Sequence, residues 1–218
     1  MTAGGTVVVA TKNAGKVREF AHAFGKMGLQ VVSMFDYPDL PDIVEDGATF
    51  SENARKKAKT VAEALHMMVL ADDSGLEVEA LGGRPGIYSA RYAGESASDA
   101  LNNAKLLDEL ALEGAAVQRD TVQGSIPQND SLLLSKARFV CALALYNPSS
   151  GSFVEAEGTV EGFITDTPSG AGGFGYDPLF WLASHGRTMA ELSKDEKQAI
   201  SHRGQALASL LIQLENAQ

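Results

Sequence analysis

The sequence predicts an α/β protein with a mixed β-sheet and helices on both faces. Strand and helix patterns alternate early in the chain, where an apolar run at 6–10 precedes amphipathic patterns at 16–27 and 49–65. Later, strand-like runs at 137–146 and 152–164 are joined by Asn-Pro-Ser-Ser-Gly, which is typical of an antiparallel hairpin. The alternation favours parallel strands and the hairpin adds antiparallel ones, so a mixed sheet is expected.

The composition is that of a globular protein and argues against several functions. The 218 residues are 44% apolar and 21% charged, enough for one large domain. A net charge of −10 argues against nucleic-acid polymers and anionic membranes as partners, because basic surfaces hold both. The longest apolar run, 139–145, is too short to cross a bilayer. With one cysteine and no recognisable secretion signal, the chain is expected to be cytoplasmic.

The N-terminal half is predicted to open with a β-α-β unit. The helix at 16–27 follows the first strand, and a second strand at 29–33 completes the unit. A loop rich in Pro and Asp, 37–47, leads to the helix at 49–65, which Thr49 and Glu52 open as a capping box. The inward side chains are expected to be Val17, Phe20, Ala21 and Phe24 in the first helix, and Ala54, Ala58, Val61 and Leu65 in the second.

The C-terminal half is predicted to contain more loops. Residues 76–81 alternate like a half-exposed strand, and Ser96 with Asp99 is predicted to cap a helix that ends at Leu112. The polar stretch from about 113 to 135 lacks periodicity and is predicted to be an exposed loop. The remaining elements are a Gly-rich loop at 168–178, cap pairs Thr188 with Glu191 and Ser193 with Glu196, and a closing amphipathic helix bearing Leu207, Leu210, Leu211 and Leu214.

The stretch Leu-Ala-Asp-Asp-Ser-Gly, residues 70–75, is the first candidate for a functional site. An apolar run at 67–71 is predicted to be a buried strand that ends at the two carboxylates, where open α/β sheets bind ligands. Adjacent strand residues point to opposite faces, so one of Asp72 and Asp73 can hold a metal or a hydrogen bond while the other handles a proton. The alternative is an Asx turn that closes the strand, with Gly75 at positive φ.

The first strand-to-helix turn, Thr-Lys-Asn-Ala-Gly-Lys at residues 11–16, is a candidate anion site. Backbone N–H groups at a helix N-terminus bind anions, and Lys12 and Lys16 add positive charge. The turn is not a P-loop, since that motif requires glycine at position 10 and a hydroxyl residue at position 17. An ordinary capped turn is the alternative.

Two acids and two helix residues extend the candidate site. Glu45 and Asp46 precede the helix that leads to Asp72, and acids without nearby His or Cys favour Mg²⁺ over Zn²⁺. Asn53 and Lys56 lie about one helical turn apart, so they can face the same phosphates. The alternative for all four is a solvated surface.

Two further motifs are candidates for binding a purine base. The Gly-rich loop places Phe174 and Tyr176 among glycines, which suits a flat ring lying against the backbone, although packing of both aromatic rings in the core is the competing interpretation. Residues 194–203 carry Lys194 and Lys197 and end at His202 and Arg203. Lysine and arginine pair with the O6 and N7 acceptors of a 6-oxopurine, while a basic helix end that complements the helix dipole is the alternative.

These motifs together resemble one family. They are Thr-Lys-Asn-Ala-Gly-Lys at 11–16, Phe-Ser-Glu-Asn-Ala at 50–54, Ala-Asp-Asp-Ser-Gly-Leu at 71–76, the stretch 81–94, Gly-Gly-Phe-Gly-Tyr-Asp-Pro at 172–178 and Ser-His-Arg-Gly at 201–204. In this order they are similar to the inosine/xanthosine triphosphate pyrophosphatase family. The resemblance covers nearly the whole chain apart from about 113 to 135. Lys12 departs from the small residue found in many members.

The resemblance implies an elongated α/β fold formed by one domain, residues 1–218, with a central mixed sheet and two lobes around a cleft. It also implies a homodimer that hydrolyses ITP, dITP and XTP to the monophosphate and pyrophosphate with Mg²⁺. By position, Asp73 matches the proton acceptor, and Glu45 and Asp73 match the metal ligands. The substrate-binding residues that match are Thr11, Lys12, Asn13, Ala14, Gly15, Lys16, Ser74, Phe174, Gly175, Tyr176, Asp177, Lys197, His202 and Arg203.

Two other functions compete with this one. A septum-inhibitor-type pyrophosphatase would act on pyrimidine or modified nucleotides, and the Ser-His-Arg-Gly motif argues against it. A nucleotide-binding sensor would not hydrolyse its ligand, and a general base such as Asp73 would then have no use.

Overall fold

The computed structural model describes residues 5–41, 43–128 and 131–216. Its strands are β1 Thr6–Ala10, β2 Gln30–Ser33, β3 Val69–Val78, β4 Leu133–Asn147, β5 Ser152–Thr165, β6 Phe180–Leu182 and β7 Arg187–Thr188. Within these described ranges they form one sheet in the order β2-β1-β3-β4-β5-β6-β7. Strand β1 is parallel to β2 and β3, whereas β6 is antiparallel to β5 and β7. The predicted mixed α/β sheet is confirmed.

The helices are α1 Ala14–Gly25, α2 Phe50–Leu65, α3 Asp99–Leu112, α4 Lys194–Ile200 and α5 His202–Asn216. The capping pairs predicted at Thr188 with Glu191 and at Ser193 with Glu196 are present. No helix in the described part of the chain is both long and apolar enough to cross a membrane.

The chain divides into two compact units. The first unit comprises Met1–Ser74, Cys141–Gly158 and Gln198–Gln218, and the second comprises Gly75–Val140 and Thr159–Lys197. The core of the first unit contains Phe20 and Phe24 from α1, Leu70 from β3 and Leu207 and Leu210 from α5. The single domain with two lobes and a cleft stays a prediction.

The acidic stretch lies inside a strand rather than at its end. Strand β3 continues through Asp72 and Asp73 to Val78, and Gly75 is part of the strand, so the prediction that the strand ends at the acids is wrong. Met67 and Met68 precede the strand and are exposed. A strand can carry buried carboxylates at its centre when cations compensate them, and the side chains around this pair do so.

Several predicted boundaries and faces are also corrected. Helix α1 begins two residues earlier than predicted, because the side chain of Asn13 caps it, and Ala23 is buried where Ala21 was expected. The cap of α3 is Ser98 rather than Ser96, since Ser98 Oγ accepts a hydrogen bond from the N–H of Leu101. Within this first α-helix and α3, local hydrogen bonding to a short polar side chain decides where the helix begins.

The polar stretch predicted as an exposed loop belongs to the second unit and is partly ordered by contacts within it. Strand β4 begins at Leu133, whose side chain is buried, so the loop ends earlier than expected. Farther back, Ser125 donates a hydrogen bond to the carbonyl of Ala183 at 2.8 Å and accepts one from Trp181 Nε1 at 2.9 Å. Positions 129 and 130 lie outside the described residues.

Candidate functional site

The centre of the candidate site is the pair of adjacent acids on β3, in the first unit. Asp72 and Asp73 are both buried, with exposed fractions of 1% and 6%. Because neighbouring strand residues point to opposite faces, the two carboxylates have different neighbours. Asp72 faces Lys16, Arg203 and Cys141, whereas Asp73 faces Lys57 and Asn53.

Asp72 is a fully engaged anion. Arg203 Nε donates to its Oδ2 at 2.8 Å, Lys16 pairs with its Oδ1, and Ser74 Oγ donates to Oδ1 at 3.0 Å. Burial alone would raise its pKa, but Arg203 and Lys16 outweigh burial and hold the pKa of Asp72 well below its usual range. Cys141 also donates to Oδ2, and burial raises the pKa of this thiol well above its usual range. Asp72 is therefore an ionised anchor rather than a proton acceptor.

Asp73 lies in a different electrostatic environment. Lys57 Nζ is 2.7 Å from its Oδ1, and Asn53 Nδ2 donates to its Oδ2 at 3.3 Å. Burial raises the pKa of Asp73 by more than Lys57 and Lys16 lower it, so the pKa lies above its ordinary value. A carboxylate with a raised pKa is the better proton acceptor of the two.

Lys57 joins Asp73 to Glu45. Its ammonium nitrogen lies 3.2 Å from Glu45 Oε2 and 2.7 Å from Asp73 Oδ1. Burial opposes ionisation of Glu45, but Lys57 outweighs it and the pKa of Glu45 is lowered, while the two acids raise the pKa of Lys57 against the effect of burial. The predicted metal ligands Glu45 and Asp73 are thus close enough to share one cation.

The donor set fits Mg²⁺. Across the residues that the structure describes, no group of three or more His, Cys, Asp or Glu side chains is arranged to hold a metal ion. Mg²⁺ is commonly bound by one or two carboxylates together with waters and substrate phosphates, and Glu45 and Asp73 are two such carboxylates. Asp46 is not part of this group, because it pairs with the exposed Lys56.

Sequence reasoning missed Lys57. It selected Lys56, whose side chain is about half exposed, whereas only 8% of the Lys57 side chain is exposed. A signal was present, since position 57 lies three residues after Ala54 and four before Val61, both on the inward face of α2. A lysine on a buried helix face requires an acidic partner, and Asp73 and Glu45 provide two.

The phosphate turn predicted at residues 11–16 leads directly into α1. The N–H of Lys16 donates to Asn13 Oδ1 at 3.0 Å, and the N–H of Asn13 donates to Thr11 Oγ1 at 3.1 Å. Thr11 and Gly15 are buried, whereas Lys12, Asn13 and Ala14 are exposed. The turn is therefore capped as the alternative interpretation expected, and it also directs Lys16 towards Asp72.

The Gly-rich loop lies in the second unit. Asp177 Oδ2 accepts hydrogen bonds from Lys197 Nζ at 2.6 Å and from the N–H of Phe174 at 2.9 Å. Lys197 Nζ also lies 5.0 Å from the centroid of the Phe174 ring, within the range of a cation–π interaction. Tyr176 is buried and its hydroxyl donates to the carbonyl of Ser89 at 2.9 Å, which agrees with the core-packing interpretation for that residue.

His202 and Arg203 begin α5 in the first unit, and both are buried. All three guanidinium nitrogens of Arg203 are bonded there. Nε donates to Asp72, Nη1 donates to Glu19 on α1, and Nη2 donates to Ser74 Oγ at 2.8 Å. Sequence reasoning also missed Glu19. The base-reading role of Arg203 stays a prediction. In the structure, Arg203 stabilises the carboxylate of Asp72, which Lys16 also contacts.

The predicted site residues fall into two groups. The first unit holds Thr11, Lys12, Asn13, Ala14, Gly15, Lys16, Glu45, Asp73, Ser74, His202 and Arg203. The second unit holds Phe174, Gly175, Tyr176, Asp177 and Lys197. Within the first group, Asp73 and Glu45 share Lys57 as a partner. Arg203 donates a hydrogen bond directly to Ser74. Within the second group Lys197, Asp177 and Phe174 are linked.

Comparison with known proteins identifies the family of this chain. The model of the Ham1 family matches residues 7–213. A dITP/XTP pyrophosphatase of Geobacillus kaustophilus (strain HTA426) is 52% identical over 204 residues, which is 94% of this chain and 91% of that protein. The solved Staphylococcus aureus Ham1 protein is 40% identical, with a TM-score of 0.76 over 98% of this chain and 100% of that chain. A HAM1 protein from Coxiella burnetii is 37% identical, with a TM-score of 0.77 over 97% and 98% of the two chains. The chain therefore belongs to the Ham1 family, which confirms the family predicted from its motifs.

Proposed function

We propose that this chain hydrolyses deaminated purine nucleoside triphosphates, ITP, dITP and XTP, to the nucleoside monophosphate and pyrophosphate. The observation that carries the proposal is Asp73, a buried carboxylate with a raised pKa beside Lys57 and Glu45. The names of the relatives, which include dITP/XTP pyrophosphatase, indicate the same reaction class.

The proposed chemical step is attack of water on the α-phosphate. Cleavage between the α- and β-phosphates needs a proton acceptor for the water and positive charge on the pyrophosphate leaving group. Asp73 takes the proton, and Lys16 and Lys57 provide positive charge beside the two acids. Glu45 and Asp73 would hold Mg²⁺, which when bound supplies further charge to the phosphate oxygens.

The proposed base selectivity depends on hydrogen-bond donors. A lysine donor aimed at the 6-oxo group of hypoxanthine or xanthine would face the 6-amino group of adenine and be left unpaired. Such a mismatch can change kcat/KM by about 10⁴-fold. Lys197 is one candidate donor, because its ammonium lies beside the Phe174 ring on the Gly-rich loop. The same proposal includes a cytoplasmic homodimer, which light scattering of the purified protein and fractionation of cells test.

The experiment that tests the function is a substrate screen. Pyrophosphate release is measured with ITP, XTP, dITP, ATP, GTP and UTP in the presence of Mg²⁺. We expect ITP, XTP and dITP to be hydrolysed and the standard nucleotides to be poor substrates. A preference for UTP would favour the septum-inhibitor type of pyrophosphatase. Tight binding of ITP without pyrophosphate release would identify a nucleotide sensor and overturn the proposal.

A further inference from the structure

Helix α3 holds the Gly-rich loop of the second unit at one residue. The N–H of Gly175 donates to Asp99 Oδ2 at 2.7 Å, and its carbonyl accepts from Asn103 Nδ2 at 3.1 Å. Asp99 and Asn103 are four residues apart in α3, so they lie on the same face of the helix. Both polar groups of the Gly175 backbone are therefore bound by side chains of one helical turn.

Asn103 makes this contact at a local cost. Its Oδ1 atom is buried and has no hydrogen-bond partner among the described residues. A buried amide oxygen without a partner is unfavourable, and an apolar side chain of similar size would avoid the penalty. The residue type is therefore explained by the Nδ2 donor and its bond to Gly175, rather than by the stability of the helix.

The contacts at Gly175 lie next to Phe174 in the chain. Gly175 has a φ of 62°, which favours glycine, and its peptide follows directly after the Phe174 ring in the chain. Three residues after Phe174, Asp177 accepts hydrogen bonds from the N–H of Phe174 and from the ammonium of Lys197. Side chains therefore hold the backbone at both Phe174 and Gly175.

A third residue of α3, Asn102, connects the helix to the motif at 81–94. Asn102 Oδ1 accepts from the N–H of Ala93 at 2.8 Å, and Asn102 Nδ2 donates to the carbonyl of Ala90 at 3.2 Å. In the same segment, the carbonyl of Ser89 accepts the hydroxyl hydrogen of Tyr176 from the Gly-rich loop. The motif and the helix thus both form hydrogen bonds with the loop.

We propose that α3 is a positioning element for nucleoside binding, with Asp99 and Asn103 holding Gly175 so that Phe174 and Lys197 are ordered before the base arrives. The proposal rests on the proposed function, in which the Gly-rich loop binds the purine nucleoside. Ordering a binding surface in advance lowers the entropy lost on binding, so the effect belongs to the affinity for the nucleoside and not to the phosphate chemistry.

The test uses Asn103→Leu, which removes the donor and also the unpartnered oxygen. Titration calorimetry measures the binding of inosine monophosphate and, separately, of pyrophosphate to the full chain. We expect inosine monophosphate to bind about fivefold to tenfold more weakly, with pyrophosphate affinity and melting temperature unchanged. Asp108→Leu is the matched control, since it introduces the same side chain at an exposed position of α3 that does not contact Gly175, and it is expected to leave both affinities unchanged.

Asp99 provides a rescue test. Asp99→Asn keeps an acceptor for the N–H of Gly175 and is expected to bind inosine monophosphate nearly as wild type does, whereas Asp99→Ala loses the acceptor and weakens binding. Both variants remove the same negative charge from the first turn of α3, so a difference between them reports the hydrogen bond.

The outcomes separate this proposal from the proposed function. Equal weakening of inosine monophosphate and pyrophosphate in Asn103→Leu, or wild-type affinity for both, overturns the positioning role. Undetectable binding of inosine monophosphate to the wild-type chain overturns it as well. Calorimetry needs no turnover, so a chain that fails the hydrolysis screen still gives a clear result for α3.

Discussion

The two faces of strand β3 show how adjacent, chemically identical residues acquire opposite properties. Asp72 contacts a guanidinium and an ammonium, and its pKa lies well below the usual range. Asp73 is less strongly compensated relative to its burial, and its pKa is raised. Strand geometry separates the side chains and the cations on each face decide their chemistry. One acid serves as a fixed anion and the other is suited to accept a proton.

The largest expected effect comes from Asp73→Asn. Removal of a general base lowers kcat by about 10²- to 10⁴-fold, because the amide cannot accept the proton of the attacking water. We expect pyrophosphate release from ITP to fall by at least about 10³-fold, while equilibrium binding of ITP with Mg²⁺ is retained. Asp46→Asn serves as the control, because Asp46 is an exposed acid in the loop before α2, and it should keep wild-type turnover. Near-normal turnover of Asp73→Asn would exclude Asp73 as the proton acceptor.

Asp72→Asn is expected to act mainly on stability. The substitution leaves the buried Arg203 and the largely buried Lys16 without their shared anion, and breaking a buried ion pair costs about 3–5 kcal/mol. The free energy of unfolding, measured by urea titration, should fall by that amount. If Asp72→Asn were as stable as wild type while Asp73→Asn unfolded, the structural role assigned to Asp72 and the catalytic role assigned to Asp73 would both be wrong.

Much of the candidate site could be predicted from the sequence because its parts are local patterns. Residue type and spacing are enough to recognise the two acids, the turn at 11–16 and the Gly-rich loop. The partners could not be predicted in the same way. Arg203 and Glu19 are separated by nearly the whole chain, and only the folded structure brings them together.

The secondary-structure elements show the same difference between local patterns, which could be predicted, and distant contacts, which could not. Strand β1 and the capped helix α2 were predictable because apolar spacing and caps act within a few residues. The continuation of β3 through two carboxylates could not be predicted in this way. Burial of an uncompensated carboxylate is unfavourable, and the lysines that compensate these two acids come from helices α1 and α2. The opposite pKa shifts of Asp72 and Asp73 likewise depend on contacts that no local pattern contains.

Glu45→Gln tests whether the Asp73 face is also the metal face. Loss of one of two carboxylate ligands weakens divalent-cation binding, and we expect the Mg²⁺ concentration for half-maximal activity to rise by about tenfold to a hundredfold. Activity should return at high Mg²⁺, since the amide oxygen and Asp73 remain. Asp46→Asn is again the matched control from the same loop. An unchanged Mg²⁺ dependence would remove Glu45 from the metal site.

The smallest effect, and the most direct comparison of the two faces, is the pH dependence of stability. The folded-state pKa of Asp72 is lowered, so its contribution is present above the unfolded-state pKa of about 4 and is lost as pH falls through the folded-state pKa. The folded-state pKa of Asp73 is raised, so its contribution is present below about pH 4 and is lost as pH rises through the folded-state pKa.

The two substitutions should therefore change the stability profile in opposite directions. The free energy of unfolding is measured by urea titration from about pH 3 to pH 7, and the value for each variant is subtracted from that of wild type. The difference between wild type and Asp72→Asn should grow as pH rises, whereas the difference between wild type and Asp73→Asn should fall. Parallel profiles would mean that both carboxylates titrate alike, and the separate roles assigned to the two faces of β3 would then have no electrostatic basis.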